Sequence, residues 1–259
     1  MKITGDKQLK KFVDHRLYDD QSPRAISGRI KHQENYLTYV SKNSIYRYID
    51  SVYGRRIEWH RKHRKRRRRK RGKQSHLHNR TFIDKRPKYI EKRMRGGDVE
   101  ADFVTSGKSG NGILLVVVDR KTRAAFLEQI RTITIPRVHQ AFHRIKERFP
   151  EMRTMTTDND ILFQKHKELE QSLNVKIYFC HPYHSWEKGT VENTNKYIRR
   201  DIFKGSNISS FSRSFIEKLE IKLNRRIMAC LDYHTPSEML KEVRRRRKKT
   251  RGKKRRCFA

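Results

Sequence analysis

From Val99 to Ile130 the chain reads VEADFVTSGKSGNGILLVVVDRKTRAAFLEQI. Val99-Glu-Ala-Asp-Phe-Val104 alternates apolar and polar residues with a period of two, the pattern of a strand whose two faces meet different surroundings. Gly107-Lys-Ser-Gly-Asn-Gly112 is a turn cluster. Ile113 to Val118 is six apolar residues without interruption, as in a strand covered on both faces. Arg123 to Ile130 supplies a third strand, and three strands joined by short turns make a meander.

Working downstream, Val138, Phe142 and Ile145 mark one face of a helix over about 136–149. Arg153 to Thr157 is a short strand ending at Asp158, Phe163 to Leu173 reads as helix, and Val175 to Cys180 as strand. After a loop from Pro182 to Gly189 the chain is helical over about 190–203, with further helices over 211–227 and 236–242. Meander, helix, strand, helix, strand, helix is the element order of a ribonuclease-H-like α/β sheet.

Upstream, Leu9, Phe12, Val13 and Leu17 fall at helical spacing. Ser22-Pro23 starts a second helix, with Ser as N-cap and Pro at the first helical position. Ser41 caps a third, in which Ile45, Tyr48 and Ile49 face inward while Lys42, Asn43, Tyr46 and Arg47 face outward. Three short helices of this kind have the shape of a helix-turn-helix, which sets the N-terminal residues of its last helix against base edges. A small bundle that only packs on the rest of the chain is the alternative.

The 259 residues hold 65 Lys and Arg against 28 Asp and Glu, a formal charge of +37. Charge of one sign at this density opposes compaction unless a polyanion neutralises it. It is unevenly placed: Arg61 to Lys73 and Arg244 to Arg256 each carry 11 basic residues in 13, whereas 97–243 holds 24 basic and 19 acidic residues. A nearly balanced unit is thus flanked by basic arms, which as free chain are self-repelling linker and tail. On nucleic acid such arms supply affinity through phosphate contacts, not sequence choice. The longest apolar run, six residues, is far short of the roughly 20 that span a bilayer. The N-terminus has no secretory pattern. Cys180, Cys230 and Cys257 form no C-x-x-C pair. A reducing, cytoplasmic setting is expected.

Phosphoryl transfer on two Mg²⁺ ions needs clustered carboxylates, because hard cations take oxygen ligands and two ions about 4 Å apart must be bridged and flanked. Among 28 acids, position is what discriminates. Asp102 lies in the first strand, Asp158 ends the strand after the first helix, and Glu192 sits near the start of the helix after the last strand. Adjacent central strands would bring the first two together, and the helix could carry Glu192 over them. Glu192, Asn195, Lys196 and Arg199 share one helix face. Asp119, between basic residues, reads as a strand-end residue in an ion pair, and Trp186 as a loop anchor. Cys180, His181 and His184 have no second pair at zinc spacing.

Gly97-Asp-Val-Glu-Ala-Asp102, Thr157-Asp-Asn159 and Tyr183-His-Ser-Trp-Glu-Lys-Gly-Thr-Val-Glu-Asn-Thr-Asn195 resemble the three blocks of DDE transposases of the insertion-sequence-thirty family. Thirty-three residues separate Asp158 from Glu192, and Arg199 falls seven after it, as in the family pattern. The resemblance runs from about Ser22 to Glu242. It implies that Asp102, Asp158 and Glu192 are a catalytic, metal-binding triad in an integrase-like core. It further implies Mg²⁺ as cofactor, with Mn²⁺ as a substitute. Residues Ser22 to Ile49 resemble the family's internal helix-turn-helix. Val99 stands where the family has Trp, Asp160 where it has Gly, and Leu162 where it has an acid. The last two lie beside Asp158 and would alter loop shape and local charge.

The expected layout is a helix-turn-helix DNA-binding domain over 1–53, a basic linker over 54–96, a ribonuclease-H-like catalytic domain over 97–243 and a basic tail over 244–259. The expected activity cleaves transposon ends and joins the freed 3′-hydroxyl to target DNA, by a homodimer or higher oligomer, with Lys42, Asn43, Tyr46, Arg47, Asn195, Lys196 and Arg199 touching DNA and no membrane involved. Two other readings remain open at this point: a catalytically decayed transposase that only binds DNA, and a basic RNA-binding protein of the ribosome.

Overall fold

A computed structural model describes residues 2–57, 79–107, 110–182 and 184–256, with the backbone alone for 185, 186 and 247–256. The basic run from Arg61 to Lys73, Tyr183, the Trp186 side chain and Cys257 lie outside the described residues or atoms. The helices are α1 (Lys2–Gly5), α2 (Lys7–Tyr18), α3 (Pro23–His32), α4 (Lys42–Asp50), α5 (Lys88–Glu91), α6 (Ile135–Arg148), α7 (His166–Leu173), α8 (Gly189–Asp201), α9 (Arg213–Asn224) and α10 (Pro236–Arg256). The strands are β1 (Asp98–Thr105), β2 (Ile113–Asp119), β3 (Ala125–Ile130), β4 (Thr154–Thr157) and β5 (Lys176–Phe179). They belong to two compact units, Lys70–Asn224 and the pair of segments Met1–Arg69 and Arg225–Ala259.

In the first unit the strands form one sheet in the order β3-β2-β1-β4-β5. The meander β1-β2-β3 is antiparallel, while β4 and β5 join β1's other edge in parallel. This α/β arrangement is the ribonuclease-H-like sheet expected from element order. Every residue of β2 is buried, as its unbroken apolar run requires. Alternation sorts β1: Val104 joins Leu114, Val116 and Val118 on the face packed by Val191 and Ile198 of α8 and Ile216 and Leu219 of α9. Phe103 points the other way, against Phe142 of α6 and Phe163. Asp98, Glu100 and Asp102 share Val104's parity, so these three acids of β1 stand on the α8 face.

The expected third strand begins two residues late, because Arg123 takes a left-handed turn conformation (φ 61°). The helix expected over 163–173 is split: Asp160 caps a single 3-10 turn, Ile161–Phe163, and α7 starts only at His166. Gly97, at φ 101°, leads into β1 where an added Cβ would lie 2.0 Å from the Glu151 carbonyl oxygen.

In the second unit the three N-terminal helices are capped and packed as expected. Ser22 accepts from the Ala25 amide and Ser41 from the Ser44 amide. Leu9, Val13, Leu17, Ile26, Ile30, Ile45 and Tyr48 share one core. Nine residues, 33–41, connect α3 to α4, more than the three or four of a tight helix-turn-helix. The segment from Arg225 packs in this unit, whereas the expected catalytic domain ran on to 243. The reason is long-range pairing: the Arg29 guanidinium holds both carboxylate oxygens of Glu238 at 2.8 Å, and Gln21 bonds the backbone of Arg225 and Ile227. α10 also continues through the basic run to Arg256, where a tail was expected, in keeping with the high helix propensity of Arg and Lys. None of the helices, among the described residues, is long and apolar enough to cross a membrane.

Candidate active site

The register of the sheet sets up the site. β1 and β4 run parallel with Glu100 opposite Thr156, so continuing both by two residues brings Asp102 beside Asp158. Both side chains then point to the α8 face. The structure brings them onto one cation: Lys188 Nζ lies 2.9 Å from Asp102 Oδ1 and 2.7 Å from Asp158 Oδ2. The Lys188 side chain is 6% exposed. Burial alone would lower the pKa of this ammonium, but Asp102 and Asp158 outweigh it and hold the pKa above the usual lysine range. Burial pushes the Asp102 carboxyl up, against the pull of Lys188, and Asp158 pushes it further.

Glu192 lies in the first turn of α8, and Lys188 is the residue immediately before that helix. What fixes that helix is Glu100. Its buried Oε2 accepts from the Thr190 and Val191 amides at 2.8 and 2.9 Å, satisfying free N–H groups of the first turn with a full negative charge. Its Oε1 is 3.3 Å from Arg120, itself buried. One turn on, Asn195 Nδ2 donates to Asp102 Oδ2 at 2.7 Å, and a further turn on Arg199 donates to the Thr105 carbonyl at 2.8 Å. Helix α8 thus runs beside β1 with contacts at Glu100, Asp102 and Thr105 in succession.

The other residues named from the sequence fall as follows. Lys42, Asn43, Tyr46 and Arg47 are exposed on α4. Lys196 is exposed, whereas the Asn195 amide and the Arg199 guanidinium are already engaged within the unit. Among the described residues Asp119 is in no ion pair: its carboxylate accepts from the Gly97 amide and from the amide and hydroxyl of Thr122. The basic residues beside it look elsewhere, Arg120 to Glu100 and Arg123 to the Thr190 hydroxyl. Asp160, which replaces a glycine of the family pattern, bonds the Leu162 amide at 2.9 Å and so is turned into its own loop.

Sequence reasoning missed Glu100 and Lys188. Both left a trace: Glu100 shares strand parity with Asp102, and Lys188 lies one helical turn before Glu192. Thr157 Oγ1, Asp158 Oδ1 and Asn195 Oδ1 are buried oxygens with no hydrogen-bond partner among the described residues. Carboxylates gathered round a cation, with buried oxygen left over, are a site built to hold positive charge.

No family model matches the chain. It is 36% identical over 242 residues to the transposase for insertion sequence element IS4351 of Bacteroides fragilis, covering 91% of this chain and 73% of that protein. It is 29% identical to the transposase for IS1086 of Cupriavidus metallidurans, over 93% and 75% of the two chains. To transposase InsI for IS30A of Escherichia coli it is 30% identical over 62% and 42%. Among solved structures, the catalytic core domain of BIV integrase superposes with a TM-score of 0.46 at 18% identity, over 58% of this chain and 97% of that one. The chain belongs to the insertion-sequence-thirty family of transposases.

Proposed function

We propose that the chain is an active DNA transposase in which Asp102, Asp158 and Glu192 hold Mg²⁺, with Mn²⁺ as a substitute, for two successive phosphoryl transfers. The observation that carries this is the convergence of Asp102 and Asp158, from adjacent central strands, on the single ammonium of Lys188. A donor set of carboxylate oxygens suits a hard cation. The partnerless Asp158 Oδ1 and the ammonium standing where a metal ion would stand both fit it. Bound ions would activate water and stabilise the entering and leaving oxygens of an in-line displacement.

The chain's own residues do the rest. Glu100 and Arg120 fix the first turn of α8, the turn that holds Glu192. Asn195 orients the Asp102 carboxylate. In the first reaction water attacks the phosphorus at the element's end; the P–O3′ bond breaks and the element is left with a 3′-hydroxyl. In the second that hydroxyl attacks a target phosphodiester in line, a new P–O bond forms, and the target's own 3′ oxygen leaves. No covalent enzyme intermediate is needed.

Lys42, Asn43, Tyr46 and Arg47, exposed at the start and middle of α4, read the inverted repeat. Lys196 and Arg199 contact backbone phosphates, Asn195 lies beside them on the DNA-facing stripe of α8, and the two basic runs add affinity. Joining two ends calls for a homodimer or higher oligomer on DNA, working at the nucleoid.

The test is a nicking and strand-transfer assay on DNA carrying the flanking inverted repeats, with Mg²⁺ or Mn²⁺. Metal-dependent product with the wild type and none with Asp158→Asn is expected. Equal product from the two proteins overturns the assignment, and end binding without any cutting marks a decayed transposase.

A further inference from the structure

Beside the carboxylate site, the loop that leads into α8 gathers His181, His184 and Glu187, with ligand atoms all within 4.8 Å of one another. Glu187 Oε1 lies 3.0 Å from His181 Nδ1 and 3.4 Å from His184 Nδ1. In a tetrahedral site with bonds of about 2.0–2.1 Å the ligands stand about 3.3 Å apart, so these two separations match edges of such a tetrahedron. The outer contacts match as well. Glu187 Oε2 accepts from the His181 amide at 2.8 Å, which leaves Oε1 turned toward both rings. His181 Nε2 meets Asp84 Oδ2 at 2.8 Å, the carboxylate that a metal-bound histidine uses to fix its ring and raise its basicity. Stacking on Phe82, 8° from parallel, holds the same ring.

We propose that His181, His184 and Glu187 form a second metal site, for a transition-metal ion of the zinc class, distinct from the oxygen-only site for Mg²⁺. Two imidazole nitrogens and one carboxylate favour a borderline ion over a hard one. Three protein ligands leave the fourth position to water. Cys180, next in the chain, is buried, and its sulfur is not among the clustered ligand atoms. Spacing in sequence does not reveal the site because the third ligand is a glutamate three residues past the second histidine.

The location gives the ion a role. The Cys180 carbonyl accepts from Asn159, the neighbour of Asp158, and Glu187 adjoins Lys188. A metal here ties the end of the Asp158 segment to the beginning of the helix that carries Glu192.

The competing state is a protonated His181 held between Asp84 and Glu187, whose hydrogen bonds raise its pKa, Glu187 first. The probe is Co²⁺ or Zn²⁺ alone, added without DNA to the untagged, chelator-treated full chain, followed by the visible bands of tetrahedral Co²⁺ and by calorimetry. One equivalent is expected to bind, and to bind equally well in the Asp102→Asn/Asp158→Asn double variant. Glu187→Gln and His184→Ala are expected to weaken it by about tenfold or more, and Asp84→Asn, an exposed change that spares all three ligands, by about tenfold. Circular dichroism confirms that each variant is folded. Absence of binding, or binding lost in the double aspartate variant and kept in Glu187→Gln, overturns the proposal. Neither result bears on Mg²⁺-dependent cutting, so this proposal and the transposase assignment can fail separately.

Discussion

Glu100→Gln is the sharpest test of how the site is held. Glu100 is 1% exposed, and one of its oxygens accepts both the Thr190 and the Val191 amides. Glutamine keeps a carbonyl oxygen for those amides but loses the charge that complements the helix N-terminus, a loss of about 0.5–2 kcal/mol. It also leaves the guanidinium of Arg120 buried without its counter-ion. Breaking a buried pair from one side costs about 3–5 kcal/mol. Burial and the nearby Arg86 both work against the charge of Arg120, and Glu100 is a group that supports it. About 3 kcal/mol is therefore the expected destabilisation, against typical domain stabilities of about 5–15 kcal/mol.

Urea unfolding followed by far-ultraviolet circular dichroism measures the loss, and amide hydrogen exchange at Thr190 and Val191 locates it. Glu217→Gln is the control, since Glu217 and Arg213 are 60% and 86% exposed and such a pair is worth about 0.2–1 kcal/mol. Because α8 carries Glu192, the Glu100 variant is also expected to need more Mg²⁺ for the same nicking rate. A Glu100→Gln protein within about 1 kcal/mol of wild type, with Thr190 and Val191 still protected, would falsify the view that this carboxylate pins the helix.

Lys188→Met removes the cation between Asp102 and Asp158. With Asp158 41% exposed, the buried-pair cost shrinks to about 2–3 kcal/mol, and thermal melting should show Mg²⁺ restoring more stability to the variant than to wild type. Glu238 titrates at about 2: burial would raise its carboxyl, but the hydrogen bonds from Arg29 and the Thr235 amide outweigh that. Its folded pKa is depressed from 4.5, so the stabilisation is complete above about pH 5 and is lost as pH falls toward 2. The shift corresponds to about 3 kcal/mol at most, reduced to about 1–2 by exposure; Glu238→Gln should melt lower than wild type at pH 7 and match it near pH 2. Gly97→Ala should cost about 2 kcal/mol or more in a urea titration, since φ is 101° and the new methyl would meet a backbone carbonyl.

The first two acids were legible from strand order: once β1 and β4 are neighbours and parallel, Asp102 in the middle of β1 comes beside Asp158 just past the end of the shorter β4. Strand cores were equally plain, since the β2 run and the β1 alternation are local patterns. The partition of the C-terminal segment was not, because it depends on Arg29 meeting Glu238 and on Gln21 meeting Ile227, pairs more than 200 positions apart that no window of sequence contains. α10 escaped notice beyond 242 for another reason: Lys and Arg favour helix without producing apolar periodicity. Glu100 was read as the polar half of a strand repeat, and only the fold shows which helix end it meets.

The charge of the chain and the charge of its site answer different needs. A bare group of carboxylates would repel the phosphodiester it has to cut, and at a screening length of about 8 Å that repulsion acts on any phosphate close enough to react. In this unit each buried acid of β1 has a cation of its own: Arg95 on Asp98, Arg120 on Glu100 and Lys188 on Asp102, which also serves Asp158. The site is therefore partly compensated before DNA or metal arrives, one ammonium against two aspartates, and the excess of basic residues can sit elsewhere in the chain. Replacing Lys188 should then raise the salt sensitivity of DNA cutting more than that of DNA binding, because only cutting brings a phosphate up to the two aspartates.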